Sequence, residues 1–436
     1  MILGGGFAGI AVARRLEARV RDEAEIVLVC RENFSLFTPM LPEVSSGALD
    51  VRHVVTPIRA QLRHTRFILA DVRALDVAAR TVEYQHILSG EVESLAYDQV
   101  VLALGSSTST FGLPGVAERV FALKTLEDAG ILRNRLVWLL EFADATDDAE
   151  LRARLLTVVV VGGGFTGVEA VGELVELFRS VLHFYPRVAE SEIRIVLVEG
   201  GSALLPGLPA KMGRYSADRL RRRGVEIETG DGVAAADDEG LVLRSGRRIE
   251  TRTIVWSAGV APSPTIAAAQ LPRTKRGAVI VEPDFRVQGV PHAWALGDCA
   301  AIPDGMGGIY PPTAQHAIRE GPSLADNIIA TLHGRPTRPF SFTSLGMMAS
   351  LGAREAVAQL PGDRVLTGFL AWVLWRSYYL LRLPGLDRRL RVAFDWTLEL
   401  LFPRDIAELR IYTRRAHSSA AGDAGLAERE ETTAGP

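Results

Sequence analysis

The sequence predicts an α/β protein built from two doubly wound, Rossmann-like dinucleotide-binding domains, followed by a further C-terminal region. Three observations support this fold class. Two fingerprints of the form Gly-x-Gly-x-x-Gly occur at 4–9 and 162–167. Each stands between a strand-type apolar run and a helical run, with a second strand behind it. The chain of 436 residues, 48% of them apolar, is long enough for about two to four domains.

The first fingerprint lies at the start of the chain. Residues 1–3 are predicted to form a short strand, residues 10–20 a helix and residues 26–29 a second strand. The glycine turn between strand and helix lacks side chains, so that its backbone amides and the helix N-terminus can reach a pyrophosphate. Because only three residues precede Gly4, either the true start lies upstream or this strand is frayed, and we favour an upstream start.

The residue that ends the second strand of this unit departs from the usual pattern. An acidic residue at that place commonly binds the ribose hydroxyls of the nucleotide. Here the residue is Cys30, and it is followed by Arg31 and Glu32. We therefore expect Glu32 or backbone groups to take over the contact.

The second fingerprint follows the pattern more closely. A β-branched strand over 158–161 leads into the turn, a helix is predicted over 168–178, and the next strand, 193–198, ends at Glu199. A carboxylate at that place accepts hydrogen bonds from both ribose hydroxyls and repels a 2′-phosphate. This predicts NADH rather than NADPH as the ligand. The alternative is that Glu199 only caps a strand on the surface.

Three further strand ends are predicted to lie close to the nucleotides bound by the two fingerprints. Strands predicted over 97–104 and 253–257 both end in small-residue turns, at Gly105 and at Gly259, which let the chain cross close to a bound nucleotide. A third short strand ends at Asp298. This aspartate is well placed to accept a hydrogen bond from a flavin ribityl hydroxyl, although a Gly-Asp pair is also common in ordinary turns.

Composition excludes several other classes of protein. The formal net charge of −3 gives no general attraction to nucleic acid. Cys30 and Cys299 are far apart in sequence and form no C-x-x-C or metal-ligand pattern, which indicates a reducing compartment. We expect no secretory signal, because the chain opens directly into a strand. The excess of arginine over lysine is typical of a GC-rich bacterial genome.

The chain resembles the type II NADH dehydrogenases, the single-subunit, non-pumping NADH:quinone oxidoreductases of the two-dinucleotide flavoprotein superfamily. The glycine motifs identify only the superfamily, whereas the segments Phe-Ser-Leu-Phe-Thr-Pro-Met-Leu-Pro, Pro-Pro-Thr-Ala-Gln-His-Ala and Gly-Phe-Leu-Ala-Trp are far more specific. The resemblance covers nearly everything except about the last twenty residues. The stretches that carry it are 4–9, 34–42, 100–105, 162–169, 255–260, 296–300, 311–317 and 341–412.

This resemblance implies two cofactors, FAD and NADH, and a membrane quinone as electron acceptor. The FAD contacts that it implies are Gly4, Gly6, Phe7, Ala8, Gly9, Arg31, Thr38, Pro39, Gly105, Asp298 and Ala314. The implied NADH contacts are Gly162, Gly164, Phe165, Thr166, Gly167, Glu199, Ala258 and Gly259. Gln315 is the implied contact of a quinone carbonyl. Arg319 stands where the family has a second glutamine, which puts the second quinone contact in doubt.

Glu169 has two interpretations. It follows the second glycine turn, and in the first turn of a helix a carboxylate is stabilised by the helix dipole. The resemblance suggests instead that Glu169 is a catalytic proton carrier beside the flavin and the quinone. Reducing a quinone by two electrons consumes two protons, so a titratable group nearby fits that chemistry.

The C-terminal region predicts an interfacial membrane segment. An apolar run over 365–375 is interrupted by Arg376 and Arg382, so it is too short to span a bilayer, which takes about 20 apolar residues. A helix over 390–402 has an apolar stripe and arginines before it, which is the pattern that enters a lipid headgroup region. The alternative is a stripe packed on the protein core or in a dimer. The stripe residues are Leu390, Phe394, Leu398 and Leu401.

We expect the NADH-binding domain to be inserted in the sequence of a discontinuous FAD-binding domain. The predicted bounds are 1–115 and 263–340 for the FAD-binding domain, 116–156 for connecting helices, 157–262 for the NADH-binding domain, 341–415 for the membrane-associating region and 416–436 for a disordered tail. The expected location is the cytoplasmic face of the bacterial inner membrane, with a homodimer left open. Alternatives are a dithiol, sulfide:quinone or ferredoxin reductase of the same superfamily, or a non-enzymatic flavoprotein.

Overall fold

The structure is a computed structural model that describes residues 1–362 and 364–408. The predicted tail 416–436, and the last part of the predicted C-terminal region, lie outside the described residues. Helices and strands alternate along most of the chain, as the α/β prediction requires.

The described helices are α1 (Phe7–Val20), α2 (Leu41–Ser45), α3 (Ile58–Gln61), α4 (Val116–Arg119), α5 (Leu126–Ala145), α6 (Ala149–Leu155), α7 (Phe165–Val181), α8 (Ala210–Arg222), α9 (Pro264–Ala268), α10 (Ala314–Leu332), α11 (Phe369–Arg382) and α12 (Leu386–Leu398). The first strands are β1 (Ile2–Leu3), β2 (Val27–Cys30), β3 (Phe34–Leu36), β4 (Val55–Pro57), β5 (Arg66–Asp76), β6 (Thr81–His86), β7 (Val92–Ala96), β8 (Val100–Leu102), β9 (Ser106–Thr108) and β10 (Val120–Ala122).

The remaining strands are β11 (Thr157–Val161), β12 (Arg194–Glu199), β13 (Val225–Thr229), β14 (Val233–Asp237), β15 (Gly240–Leu243), β16 (Arg248–Glu250), β17 (Thr253–Trp256), β18 (Val260–Pro262), β19 (Val279–Ile280), β20 (Arg286–Val287), β21 (Val290–Ala295), β22 (Ala300–Ala301), β23 (Met347–Gly352), β24 (Glu355–Leu360) and β25 (Arg364–Gly368).

Both helices that follow a glycine turn begin earlier than the sequence predicts. The predicted starts are residues 10 and 168, whereas α1 begins at Phe7 and α7 at Phe165. Gly6 and Gly164 are the N-cap residues, so the last three residues of each fingerprint form the first helical turn. Their free amides therefore face the ligand side of the turn, which is the arrangement that binds an anion.

The described chain divides into two compact units. Unit 1 comprises 1–36, 55–107 and 260–344, and unit 2 comprises 37–54, 108–259 and the C-terminal segment from 345. Segment 37–54, which the sequence analysis placed in the first domain, and the C-terminal segment, which it treated as separate, both pack in unit 2.

Unit 1 is organised around an eight-stranded sheet of order β20-β21-β8-β1-β2-β5-β6-β7. Its centre is parallel, with Ile2 paired to Leu28 on one side and to Val101 on the other. These strands are buried because layers cover both faces of the sheet. Helix α10 packs closely on α1, since a Cβ at Gly321 would lie 2.5 Å from the Cβ of Ala11.

Unit 2 is organised around a five-stranded parallel sheet of order β10-β17-β11-β12-β13. All five residues of β11 are buried, as expected for a central parallel strand. An antiparallel sheet, β23-β24-β25, packs against α7, where a Cβ at Gly172 would lie 2.6 Å from the backbone of Leu351. Helices α11 and α12 follow this sheet.

Candidate functional site: two dinucleotide cradles and a buried carboxylate cluster

The first glycine turn joins β1 to α1 in unit 1. Gly4 has a φ of +107°, and a Cβ there would overlap the carbonyl oxygen of Ala103. A Cβ at Gly9 would overlap the carbonyl oxygen of Gly4, whereas a Cβ at Gly6 would meet no protein atom within 4 Å. The turn is therefore tightly packed on its inner side and open at the N-terminus of α1. This open, amide-lined face fits a pyrophosphate.

The other FAD candidates of unit 1 gather beside this turn. Asp298 lies in a single 3-10 turn directly after β21 and accepts a hydrogen bond from the Ser106 hydroxyl at 2.6 Å. Gly297 approaches α1 closely, since a Cβ there would lie 3.4 Å from the Cβ of Ala8. Its backbone N–H donates to the carboxylate of Glu320 in α10 at 2.8 Å. Burial raises the pKa of Glu320 to about 7.

Three further residues predicted to contact FAD are Arg31, Thr38 and Pro39. Arg31 follows the end of β2 and is exposed, with a 3.5 Å contact to the carboxylate of Glu32. The strand itself ends at Cys30, which is half-buried, and partial burial raises the pKa of the Cys30 thiol. Thr38 and Pro39 form a 3-10 turn in unit 2.

The quinone candidates lie on the first turns of α10. Thr313 is its N-cap and accepts a hydrogen bond from the amide of His316. The side chain of Gln315 donates to the Ser344 hydroxyl at 3.2 Å. Arg319 donates to the backbone oxygen of Gln315 at 2.8 Å, and its guanidinium lies 4.4 Å from the ring centroid of Phe342. Arg319 therefore supports the backbone at Gln315 and packs on an aromatic ring.

The second glycine turn joins β11 to α7 in unit 2 with nearly the same backbone. Gly162 has a φ of +111°, and a Cβ there would lie 2.8 Å from Cα of Ala258. A Cβ at Gly167 would overlap the oxygen of Gly162, and a Cβ at Gly164 would meet no protein atom within 4 Å. The Ser257 hydroxyl donates to the backbone oxygen of Val161 at 2.9 Å. The turn that follows β17 is thereby held against the glycine turn.

Glu199 ends β12 and is bonded to the same turn. Its carboxylate accepts hydrogen bonds from the backbone N–H groups of Gly163 at 2.6 Å and Gly201 at 2.5 Å. The side chain is thus held at the fingerprint, where a ribose would follow the pyrophosphate. A role as a simple strand cap on the surface does not account for the bond to Gly163.

Glu169 is buried, and its interpretation as a charge matched to the helix N-terminus is wrong. It is the fifth residue of α7, beyond the first turn, so matching of charge to the helix N-terminus does not explain it. Its side chain is 7% exposed and accepts hydrogen bonds from the Ser350 amide at 3.1 Å and the Trp375 indole at 3.0 Å. Burial raises the pKa of this carboxyl to about 8, although both bonds oppose the rise.

Next to Glu169 on α7 is a buried cluster of charges that sequence reasoning missed. Glu173 accepts hydrogen bonds from the Ser46 hydroxyl at 3.0 Å and from Arg404 at 2.8 Å. Arg404 also bonds Glu399. Glu43 accepts a bond from the Trp396 indole at 3.0 Å, and its other carboxylate oxygen is buried without a partner. Burial, and after it the charge of Glu173, raises the pKa of Glu43.

No local sequence signal could have found this cluster. Its members come from α2 and the residue after it, from α7, and from α12 and the segment after it. The contact of Arg404 with the Ser46 backbone joins residues 358 apart in sequence. A hint in the sequence is that Glu169 and Glu173 stand four residues apart in a largely apolar part of α7, since that spacing places them on one face.

The C-terminal helices expose one apolar face each. In α12, Leu390 and Phe394 are each 62% exposed, whereas Val392 and Trp396 are buried against unit 2. The stripe predicted from sequence is therefore not packed on this chain's own core. The other large exposed apolar residues of this region are Phe369, Leu370, Val373, Leu381, Leu386, Leu398, Leu400, Leu401 and Phe402.

The described residues lack two kinds of feature. Within 1–362 and 364–408, no helix has both the length and the apolar character required to cross a bilayer. The same part of the chain contains no group of three or more His, Cys, Asp or Glu side chains arranged to hold a metal ion.

Two glycine cradles of this kind, one in each compact unit, define the class of two-dinucleotide oxidoreductases. A family model described as pyridine nucleotide-disulphide oxidoreductase matches residues 1–321, and one described as the NDH2 C-terminal domain matches residues 345–405. The chain belongs to the pyridine nucleotide-disulphide oxidoreductases and, among them, to the type II NADH:quinone oxidoreductase family. The resemblance and the α/β fold class inferred from sequence are thereby confirmed.

Individual relatives agree with this assignment. The chain is 33% identical over 419 residues to the type II NADH:quinone oxidoreductase Ndh of Mycobacterium tuberculosis, covering 93% of this chain and 88% of the relative. It is 31% identical to a probable NADH dehydrogenase of Dictyostelium discoideum, covering 93% and 90%. The fold matches a structure of NDH2 from Plasmodium falciparum in complex with NADH, with a TM-score of 0.86, 21% identity and coverage of 93% and 99%.

Proposed function

We propose that the protein is an FAD-dependent NADH:quinone oxidoreductase that does not pump protons. The observation that carries the proposal is a pair of glycine cradles in a chain that aligns over 93% of its length with a relative named type II NADH:quinone oxidoreductase. When bound, FAD supplies the redox chemistry, accepting a hydride from NADH and passing two electrons to the quinone. The protein supplies positions, charges and proton-carrying groups.

In unit 1 we propose that the amides of 4–9 bind the pyrophosphate of FAD. The open face at Gly6 supports this role, because it leaves room for phosphate oxygens beside the N-terminus of α1. Asp298 is proposed to bind the ribityl chain, with the Ser106 hydroxyl holding its carboxylate in place. Phe7, Ala8, Arg31, Gly105 and Ala314 remain proposed contacts, as do Thr38 and Pro39.

In unit 2 we propose that 162–167 binds the pyrophosphate of NADH and that Glu199 binds the adenosine ribose. The bonds from Gly163 and Gly201 to Glu199 orient its carboxylate and stabilise its charge. Each carboxylate oxygen can accept more than one hydrogen bond, so ribose hydroxyls can be bound in addition. A charged group here opposes binding of a 2′-phosphate. Phe165, Thr166, Ala258 and Gly259 are the proposed remaining contacts.

For the quinone we propose Gln315 as the carbonyl contact and Glu169 as the proton carrier. The amide of Gln315 is a donor on an exposed helix end. With a pKa of about 8, Glu169 carries a proton at neutral pH that it can give to the reduced quinone. Arg319 acts on the acceptor through the backbone of Gln315 in this proposal.

We further propose that the exposed faces of α11 and α12 lie on a lipid bilayer at the cytoplasmic face of the bacterial inner membrane. Exposed apolar side chains such as Phe394 and Leu390 occur in α12 together with the exposed Arg391, and the exposed Arg382 ends α11. This combination suits an interface, since apolar groups enter the acyl boundary while cations meet anionic headgroups.

Rapid mixing tests the redox proposal. The holoenzyme is mixed with NADH and then with a short-chain quinone while the flavin absorbance is followed. We expect NADH to bleach the flavin within the turnover time and quinone to restore it. A flavin that stays oxidised with NADH, or a reduced flavin that persists with quinone under anaerobic conditions, would contradict the proposal. Ferredoxin as an alternative electron acceptor, and sulfide as an alternative electron donor with quinone as acceptor, tested in parallel, separate the related reductases.

Vesicle flotation tests the membrane proposal. With vesicles containing phosphatidylglycerol, the protein should float, and the double substitution Leu390→Glu with Phe394→Glu should lower the bound fraction at least about ten-fold, because two charges must enter the interface. Leu88→Glu is the matched control, since Leu88 is also exposed but lies in unit 1. If the double variant floats like the parent but becomes monomeric, the face is a dimer contact instead.

A further inference from the structure

Residues 108–113 hold the turn that follows β17, and the proposed function assigns this segment no role. The backbone N–H of Ser109 donates to the oxygen of Gly259 at 3.0 Å. The indole N–H of Trp256 donates to the backbone oxygen of Ser109 at 2.8 Å. Both bonds lie within unit 2, so this segment is fastened to the turn at two points.

Within this segment, Phe111 has a backbone conformation that a contribution to folding stability does not explain. It has a φ of +55°, in the left-handed region that a residue with a Cβ rarely adopts. Its side chain is nevertheless 62% exposed, so burial does not offset the strain. Backbone strain combined with an exposed aromatic ring is typical of a functional position.

The ring of Phe111 lies directly against Gly259. A Cβ at Gly259 would overlap Cζ of the ring and would lie 3.0 Å from its Cε2. The ring centroid is 6.4 Å from that of Trp256. The absence of a side chain at Gly259 therefore makes room for this ring at the end of β17, with much of the ring still open to solvent.

The order of strands shows which half of a dinucleotide this ring would meet. In the order β10-β17-β11-β12-β13, the glycine turn follows the central strand β11. Glu199 ends β12 on one side, and Gly259 follows β17 on the other side. A dinucleotide in a doubly wound fold crosses the carboxyl ends of the strands with its pyrophosphate at the glycine turn, so its two nucleosides lie on opposite sides. With adenosine at Glu199, the nicotinamide riboside lies at Gly259.

We propose that Phe111 is a positioning residue for the nicotinamide half of NADH, its exposed ring forming an apolar, aromatic contact for the nicotinamide riboside. The inference rests on the proposed NADH site of unit 2. An aromatic face binds a planar heterocycle by stacking and excludes water beside it. The left-handed backbone holds the ring over Gly259 rather than leaving it free in solvent.

Binding and transient kinetics of Phe111→Ala test the inference. We expect the dissociation constant for NADH, from the concentration dependence of flavin bleaching, to rise about ten-fold, the size of effect that one lost aromatic stack produces. Phe111→Tyr, which keeps the aromatic face, should stay within about two-fold of the parent. ADP-ribose, which lacks the nicotinamide ring, should compete equally well with NADH in parent and Phe111→Ala.

The control is Phe184→Ala, another exposed phenylalanine of unit 2, which should leave all these constants unchanged. Equal loss of NADH and ADP-ribose binding in Phe111→Ala would mean that the ring only supports the turn, and this would overturn the inference. An unchanged NADH constant in Phe111→Ala would overturn it as well. Failure of the parent protein to bleach with NADH would instead overturn the proposed function, so the two outcomes are distinguishable.

Discussion

The two glycine turns share one backbone geometry and differ in what stands behind it. Gly4 and Gly162 have φ values of +107° and +111°. In both units the last glycine of the fingerprint leaves no room for a Cβ, and the middle glycine opens onto free space. Behind the first turn lies the thiol of Cys30, whereas the second turn is bonded to the carboxylate of Glu199. The backbone thus provides the pyrophosphate site twice, and the side chains behind it distinguish the nucleosides.

The helices that leave the two turns differ more. Counted from the turn, Ala11 of α1 corresponds to Glu169 of α7. Ala11 packs against Gly321 of α10, a contact that only small residues allow. Glu169 is bonded to Ser350 and Trp375 of the C-terminal segment. The first helix is therefore used for close packing, and the second introduces carboxylates into a buried environment. This difference suits a protein in which one unit holds a resident cofactor and the other also handles protons.

The largest effects should come from closing the turns themselves. Gly9→Ala and Gly167→Ala each place a methyl group against a backbone oxygen, so the turn must deform. We expect Gly9→Ala to purify without flavin and Gly167→Ala to keep its flavin but to lose bleaching by NADH completely. Absorbance spectra before and after NADH addition measure both results.

Gly6→Ala and Gly164→Ala sharpen this comparison, because their methyl groups would meet no protein atom. If these variants lose FAD or NADH binding while their melting temperature stays unchanged, the bound ligand occupies the space beside Gly6 or Gly164. Retention of both ligands in these two variants would contradict the assignment of the cradles.

The next effect concerns Glu169, which is replaced by Ala11 at the corresponding position of α1. The raised pKa means that the carboxyl is protonated below about pH 8 and loses its proton as pH rises through that value. If Glu169 supplies a proton to quinone, turnover with quinone should fall above about pH 8. Glu169→Gln should lower turnover about a hundred-fold and remove the pH dependence, which is the usual size for loss of a general acid.

Flavin bleaching by NADH serves as the internal control for this prediction, since it should remain normal in Glu169→Gln. Glu176→Gln provides a second control on the same helix, because Glu176 is bonded to Arg223 at a more exposed place. Normal quinone turnover of Glu169→Gln across the pH range would remove the proton-carrier role.

These predictions depend on features that differ in how far the sequence reveals them. The glycine turns, the strand ending at Glu199 and the Gly-Asp turn at Asp298 are local patterns, and their places were predictable. The burial of Glu169 and the bonds of Arg404 to Glu173 were not, because their partners lie far along the chain and no periodicity couples them. Helix starts were misplaced by three residues because fingerprint residues show no helical pattern of their own.

The apolar stripe of α12 is a second case in which the sequence predicts an element but not its contacts. Its spacing predicted an amphipathic helix correctly but over 390–402, whereas α12 is Leu386–Leu398 and Leu401 lies beyond its end. Spacing alone does not say which face is covered. The covered face carries Val392 and Trp396, and the large stripe residues Leu390 and Phe394 are exposed. In the structure the Trp396 indole donates to Glu43, and Asp395 lies 2.5 Å from the His53 ring, so this side of the helix packs on the rest of unit 2.

A smaller effect should follow from changing the strand end of the second unit. Glu199→Gln keeps a hydrogen-bond acceptor for Gly163 but removes the charge. We expect NADH affinity to fall about ten-fold, which is the size of one lost charge-assisted hydrogen bond, and the preference for NADH over NADPH to weaken. Steady-state KM values for the two nucleotides measure this change. An unchanged preference would remove Glu199 from nucleotide selection.

The smallest effect should come from the corresponding place in the first unit. Cys30 packs against the turn at Gly5, and burial raises its thiol pKa, so the neutral thiol acts there as a small apolar group. Cys30→Ala should keep FAD bound at the parent stoichiometry and cost only about 1 kcal/mol of unfolding free energy. Flavin content and chemical denaturation measure the two quantities. Loss of FAD from this variant would mean that the strand ends of both units contact their nucleotides, and the two turns would then differ only in that one strand end is neutral and the other is charged.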